Sequence, residues 1–163
     1  MAFTLYSQTT NDTYSNYNDG NDWWFAFLLI PIATGAPTSI DMYLKATSAG
    51  TGDALYIRSE KSASSANFGS ATGISWSASG IQTIALSGGS SITSGGTYYV
   101  IVHVTSGTNF PKFQLKNSDT GSTKQWKSAS AGGDPTTVWN NYDPAFVISG
   151  ITPAKNLTLL GVG

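Results

Sequence analysis

The sequence predicts an all-β fold, an antiparallel two-sheet β-sandwich (jelly roll) of about nine or ten strands. Three observations carry that expectation. The first is composition: of 163 residues, 22 are Ser, 20 Thr and 18 Gly, while charged residues make up only 10%. An average soluble domain carries roughly 25% charge. Glu60 is the only glutamate, so helix formers are scarce, while Thr, Val, Ile, Tyr and Trp are plentiful. The second is a hydrophobic period of two along most of the chain. The third is a set of small-residue stretches between the periodic segments, "TSAGTG", "SGGSSITSGG", "SDTGS" and "SASAGGDP", which read as turns.

Phe3 to Tyr6 is the first short candidate. "NDWWFAFLLIPIATG" follows, with no charge from Trp23 to Ile32. That run is too short for a membrane helix, which takes about 20 apolar residues, and Asp19, Asp22 and Pro31 oppose insertion. It reads as a core strand buried on both faces. In "SIDMYLKAT", Ile40, Met42, Leu44 and Ala46 share one face, with Asp41, Tyr43, Lys45 and Thr47 on the other. In "DALYIRSE", Leu55 and Ile57 oppose Tyr56 and Arg58. Lys61 to Gly80 lacks a period and is expected to be a meandering loop anchored by Phe68, Ile74 and Trp76. Ile81 to Leu86 is a short strand. Tyr98, Val100, Val102 and Val104 then point inward, with Tyr99, Ile101, His103 and Thr105 outward. Phe113 and Leu115 oppose Lys112, Gln114 and Lys116, and Thr123 to Lys127, Thr137 to Trp139 and Ala145 to Ile151 complete the set. Residues 1–152 make a single sandwich domain. Residues 153–163 form an apolar tail, either a last strand or an arm that docks on a neighbour.

Composition also bounds function. A net charge of −1 removes the electrostatic drive toward nucleic acid. Zero cysteine excludes disulfides, thiolate zinc sites and cysteine nucleophiles. The amino-terminal stretch lacks a basic region and carries Asp12, Asp19 and Asp22, so no signal peptide is expected.

Catalysis finds little material. His103 is the only histidine, sits in mid-strand, and no serine occupies a G-x-S-x-G elbow. A glycosidase pair would have to come from Asp41, Asp53, Glu60, Asp119, Asp134 or Asp143, most of them in turn contexts. "NDGND" offers oxygen ligands suited to calcium without the full loop spacing. The expectation is no enzyme, no cofactor and no metal. Two surfaces remain. Outward Tyr43, Tyr56 and Tyr99, with tail residues Leu157, Leu159 and Leu160, form a candidate partner-binding set. Trp76, Trp126, Trp139 and Tyr142 lie in or beside loops and form the alternative, a glycan platform of stacking rings beside Asn140, Asn141 and Asp143.

The arrangement "TSIDMYLKATSAGTGDALYIRSE", a variable loop, "IQTIALSGGSSITSGGTYYVIVHV", a Trp-bearing strand and "DPAFVISG" carries a resemblance. It resembles the jelly-roll domains of phage structural proteins and bacterial surface proteins, related in shape to carbohydrate-binding modules. The match covers roughly residues 22–150, its most specific element being the turn Ser94-Gly95-Gly96-Thr97-Tyr98-Tyr99-Val100. No site residue transfers with it. A Ser/Thr/Gly-rich, low-charge chain that starts at its own Met1 looks most like a tailed-phage capsid decoration (cement) protein. The resemblance implies synthesis in a host cytoplasm, a place on the virion capsid surface, and binding to the major capsid protein and to its own copies as a homotrimer. It implies no chemistry, no nucleic acid and no membrane. The alternative is a carbohydrate-binding module or tail/fibre receptor-binding domain.

Overall fold

The computed structural model describes residues 1–9, 13–14, 23–45, 53–62, 64–76, 79–104, 112–116, 125–128, 134–135, 137–140 and 143–152. These residues form strands and no helix. In chain order the strands are β1 (Ala2–Gln8), β2 (Thr13–Tyr14), β3 (Trp23–Leu29), β4 (Ala36–Lys45) and β5 (Asp53–Arg58). Next come β6 (Asn67–Ile74), β7 (Gly80–Ala85), β8 (Tyr98–Val104) and β9 (Lys112–Lys116). The chain continues with β10 (Gln125–Ser128), β11 (Thr137–Asn140), β12 (Asp143–Pro144) and β13 (Phe146–Ile151).

Every strand expected from the sequence has a counterpart, and β2, β6 and β12 are additional. The strands assemble into two antiparallel sheets, as a sandwich requires. One runs β1-β13-β4-β9-β12, with β7 on β4 and β2 on β9; the other runs β11-β10-β3-β8-β5-β6. β3 occupies the middle of the six-stranded sheet. It pairs with β8 from Trp23–Val104 to Leu29–Tyr98 and with β10 from Phe27–Gln125 to Trp24–Ser128.

The core lies between the sheets. Trp23, Phe25, Phe27 and Leu29 enter it from β3, Val100, Val102 and Val104 from β8, and Ile40, Met42 and Leu44 from β4. Phe113 of β9 is the aromatic hub, meeting Phe25, Phe27 and Trp76 edge-on at centroid distances of 6.1, 5.5 and 5.6 Å. Edge-to-face geometry sets the positive ring edge against the negative face. The inward residues assigned to β4, β5 and β8 line the core where burial is described, whereas two of the outward ones, Ile101 and Arg58, are also buried, on the far face of the six-stranded sheet. The segment Lys61 to Gly80 is a correction, since it contains β6, paired with β5 from Asp53–Ile74 to Arg58–Asn67. The expected anchors of this segment do pack inward: Ile74 and Trp76 are buried, and Phe68 packs on the core and meets Tyr98 edge-on.

The turn before β8 shows why its glycines are there. Gly95 sits at φ 74°, where a side chain is strained. Its N–H bonds Pro31 O at 2.8 Å, and the Ser94 N–H bonds Thr34 Oγ1 at 3.0 Å, fastening the turn to the β3–β4 connection. A Cβ on Gly96 would stand 2.7 Å from the Tyr98 ring. That ring instead closes over the turn, its hydroxyl accepting the Thr93 N–H at 3.0 Å.

Two measurements check this architecture. Phe27→Ala removes a fully buried ring from β3 and should lower unfolding free energy by about 3–5 kcal/mol in denaturant titration. Gly95→Ala should cost about 1–2 kcal/mol through its left-handed backbone alone, with the sheet signal in circular dichroism unchanged.

Candidate functional site

Alternation puts the second tryptophan of the Trp23-Trp24 pair on the far side of the sheet from the first. Trp24, Ala26 and Leu28 of β3 therefore face away from the sandwich core. Register sets Trp24 beside His103 of β8, and Ala26 beside Ile101 and then Tyr56 of β5. Leu28 stands beside Tyr99 and then Arg58. This outer face is the one place where the structure gathers aromatic, cationic and imidazole groups together among the described residues.

The cluster is packed rather than open. Trp24 is 7% exposed, Ala26 and Ile101 are fully buried, and Tyr56 and Tyr99 are half-buried against them. The His103 ring lies nearly parallel to the Trp24 indole with centroids 4.2 Å apart. Tyr56 stacks from the diagonal position at 6.2 Å. The Arg58 guanidinium sits 4.5 Å over the Tyr56 ring, and the Lys61 ammonium 5.9 Å over Tyr99, within the range where ring quadrupoles attract cations.

Arg58 has a second task. Its Nη1 donates to Ser62 O at 3.3 Å and Ser65 O at 3.1 Å, tying down the β5–β6 connection. Burial lowers the guanidinium pKa from its ordinary value, and neighbouring Tyr56 and Asp134 oppose that shift. Asp134 lies in the β10–β11 connection, beside the buried Pro135. The Trp24 indole N–H, by contrast, has no hydrogen-bond partner among the described residues.

Of the residues proposed for partner binding, Tyr56 and Tyr99 meet here. Tyr43 does not, because β4 belongs to the other sheet, where Tyr43 stands opposite the exposed Ile81. Leu157, Leu159 and Leu160 lie outside the described residues. So do Tyr142 of the glycan set and the Asn18 to Asp22 stretch. Trp126 and Trp139 are placed by backbone alone, Trp126 opposite Ala26 and Val138 and Trp139 within β11.

Trp76 is a correction. It is 2% exposed, and its Nε1 donates to Asp53 Oδ2 at 2.6 Å inside the sandwich. A ring held there cannot stack on a sugar. Asp53, offered as a possible catalytic carboxylate, is the buried acceptor of that bond. Asp41 likewise accepts the Thr83 hydroxyl at 2.6 Å across β4 and β7. Among the described residues no three His, Cys, Asp or Glu side chains converge to hold a metal ion, and no helix is long and apolar enough to cross a membrane. The chain matches no protein-family model and no curated protein.

Two of the buried indoles, Trp24 and Trp76, should respond differently to mutation. Asp53→Ala strands the Trp76 N–H and should cost about 1–3 kcal/mol in unfolding free energy. Trp24→Phe removes an N–H that has no partner, so its loss should reflect ring size alone. A Trp24→Phe penalty as large as that of Trp76→Phe in the same titration would contradict this assignment.

Proposed function

We propose that the protein is a non-enzymatic structural component of a virus particle, a capsid decoration protein that binds the outer capsid surface and stabilises it. The observation that carries this reading is the fate of the reactive groups. Asp53 is committed to Trp76, Asp41 to Thr83, His103 to the Trp24 ring and Arg58 to its own hairpin connection. Groups engaged in packing are poorly placed to turn over a substrate. A second support is the outer face of the seven-stranded sheet. Register aligns Thr4, Ser149, Ser39 and Ala85 in one row and Ser7, Val147, Asp41 and Thr83 in the next. These two rows are short-chained, with Asp41 their one charge, and the next row adds Tyr43 opposite the exposed Ile81; such a face suits a broad, shape-matched contact with a major capsid protein rather than a ligand cleft. Residues Tyr56 and Tyr99 belong to the same reading as half-exposed aromatic contacts at the opposite face.

The glycan-binding alternative loses Trp76 as a platform and rests on Trp126, Trp139 and Tyr142. Mass analysis of a purified particle separates the two readings. Decoration expects copy numbers near that of the major capsid protein; a few copies per particle indicate the tail instead. Decoration also expects Trp126→Ala and Trp139→Ala to leave polysaccharide binding on a glycan array unaltered. Tight capture of one glycan, lost in both variants, would establish the binding module.

A further inference from the structure

Six large apolar side chains are exposed among the described residues, and three of them belong to segments joined at one corner of the sandwich. Met1 precedes β1, Ile151 ends β13 at 45% exposure, and Ile32 lies in the β3–β4 connection at 68%. Ala2 faces Ile151 across the β1–β13 ladder. The Ile32 N–H donates to Leu5 O of β1 at 2.8 Å. A Cβ on Gly35 would stand 2.7 Å from the Phe3 ring and 2.8 Å from Ile151 O. The β3–β4 connection is thereby pinned to the start of β1 and the end of β13. The corner is also uncharged, since residues 1–8, 30–40 and 145–152 include no Asp, Glu, Lys, Arg or His. Of the other exposed apolar residues, Ile81 is two strands away on β7 and Val138 is on the other sheet.

The chain leaves the sheet at this same corner. β13 stops at Ile151, and Pro153 has no N–H to donate to a longer ladder. The tail that follows, residues 153–163, carries Leu157, Leu159 and Leu160, with Lys155 as its one charge.

We infer that this tail folds back on its own domain and covers the corner, setting Leu157 and Leu159 against Ile151, Ile32 and Met1. Reach allows it. Leu157 is six residues beyond Ile151, a span of about 20 Å when extended. Leu5, to which Ile32 is bonded, lies three residues along β1 from Ala2, about 10 Å, and β1 is about 5 Å from β13. Tethering selects the occupant. A short flexible linker holds its end at an effective concentration of about 1 mM. A second copy's tail competes only when the protein itself approaches that concentration. The contact also removes two apolar surfaces from water at once, each of which would attract other chains if left bare. The inference concerns this chain alone, so it does not depend on the virion reading.

Limited thermolysin digestion of the purified full chain tests it, since this protease cuts before leucine. Cleavage at Leu157 to Leu160 should be at least tenfold slower than in a free peptide of residues 153–163, and the rate constant should not change on dilution. Ile32→Asp and Ile151→Asp should each bring tail cleavage to the peptide rate with unchanged circular dichroism. Val138→Asp, at an exposed apolar position on β11, should leave the tail protected. The chain has no cysteine, so Ile32→Cys combined with Leu159→Cys gives a second measurement: oxidation should close a disulfide within one chain. A tail cut at the peptide rate at every concentration overturns the proposal. So does protection that survives both Asp variants. Protection lost on dilution, with the disulfide joining two chains, overturns it in favour of a tail that covers a neighbour's corner. Should the Asp variants misfold, wild-type cleavage and the cysteine pair decide: an unprotected tail or the lack of an intrachain disulfide excludes self-cover.

Discussion

Burial of β3 on both faces constrains most of what surrounds it. A strand that places Trp23, Phe25, Phe27 and Leu29 on one side and Trp24 and Ala26 on the other cannot serve as an edge. Its N–H and C=O groups must all be paired, because water does not reach them. β8 supplies the pairing along all seven residues and β10 along four. The inner side then needs an opposing sheet, which β4, β9 and β13 provide through Met42, Leu44, Phe113 and Phe146. The outer side needs cover as well. Covering Trp24 takes a stacked imidazole, two half-buried tyrosines and a cation held over one of them.

A chain with so few charges must use each polar group economically inside the fold. Buried polar atoms cost free energy unless they are bonded. Asp53 and Trp76 answer that requirement for each other, joining the start of β5 to the segment after β6. Arg58 shows the same economy at the other end of β5. Its aliphatic stem and planar head are buried with Tyr56, while its donors hold two carbonyls of the following connection. The residues that look most chemical in the sequence are therefore spent on fastening strands together.

This explains what could be read in advance and what could not. β4, β5 and β8 alternate large apolar and polar residues, so their faces were legible from period two alone. β3 was legible from its uninterrupted apolar run. β6 was not, because "NFGSATGI" has small residues on both faces and only Gly69 and Ile74 are buried. Its strand character comes from pairing with β5, a partner that no local pattern reveals. Trp76 looked like a loop aromatic for a related reason. It follows β6, and its burial depends on Asp53, which is 23 positions earlier in the chain. The outer cluster was half legible: Tyr56, Tyr99, Arg58 and His103 were all assigned outward. Only the doublet Trp23-Trp24 signalled that a tryptophan joins them, since adjacent strand residues cannot share a face. Grouping Tyr43 with the other tyrosines required knowing the sheet to which β4 belongs, and alternation says nothing about that.

The surface left over has a particular character. Much of the outside of the seven-stranded sheet presents hydroxyls and short aliphatic chains beside the Tyr43–Ile81 pair, with Asp41 already bonded within its own sheet. Such a face offers little steering at a distance, since steering scales with unbalanced charge. It also offers few long side chains whose ordering would oppose association. Any contact made on this surface then rests on close fit, which acts only at short range.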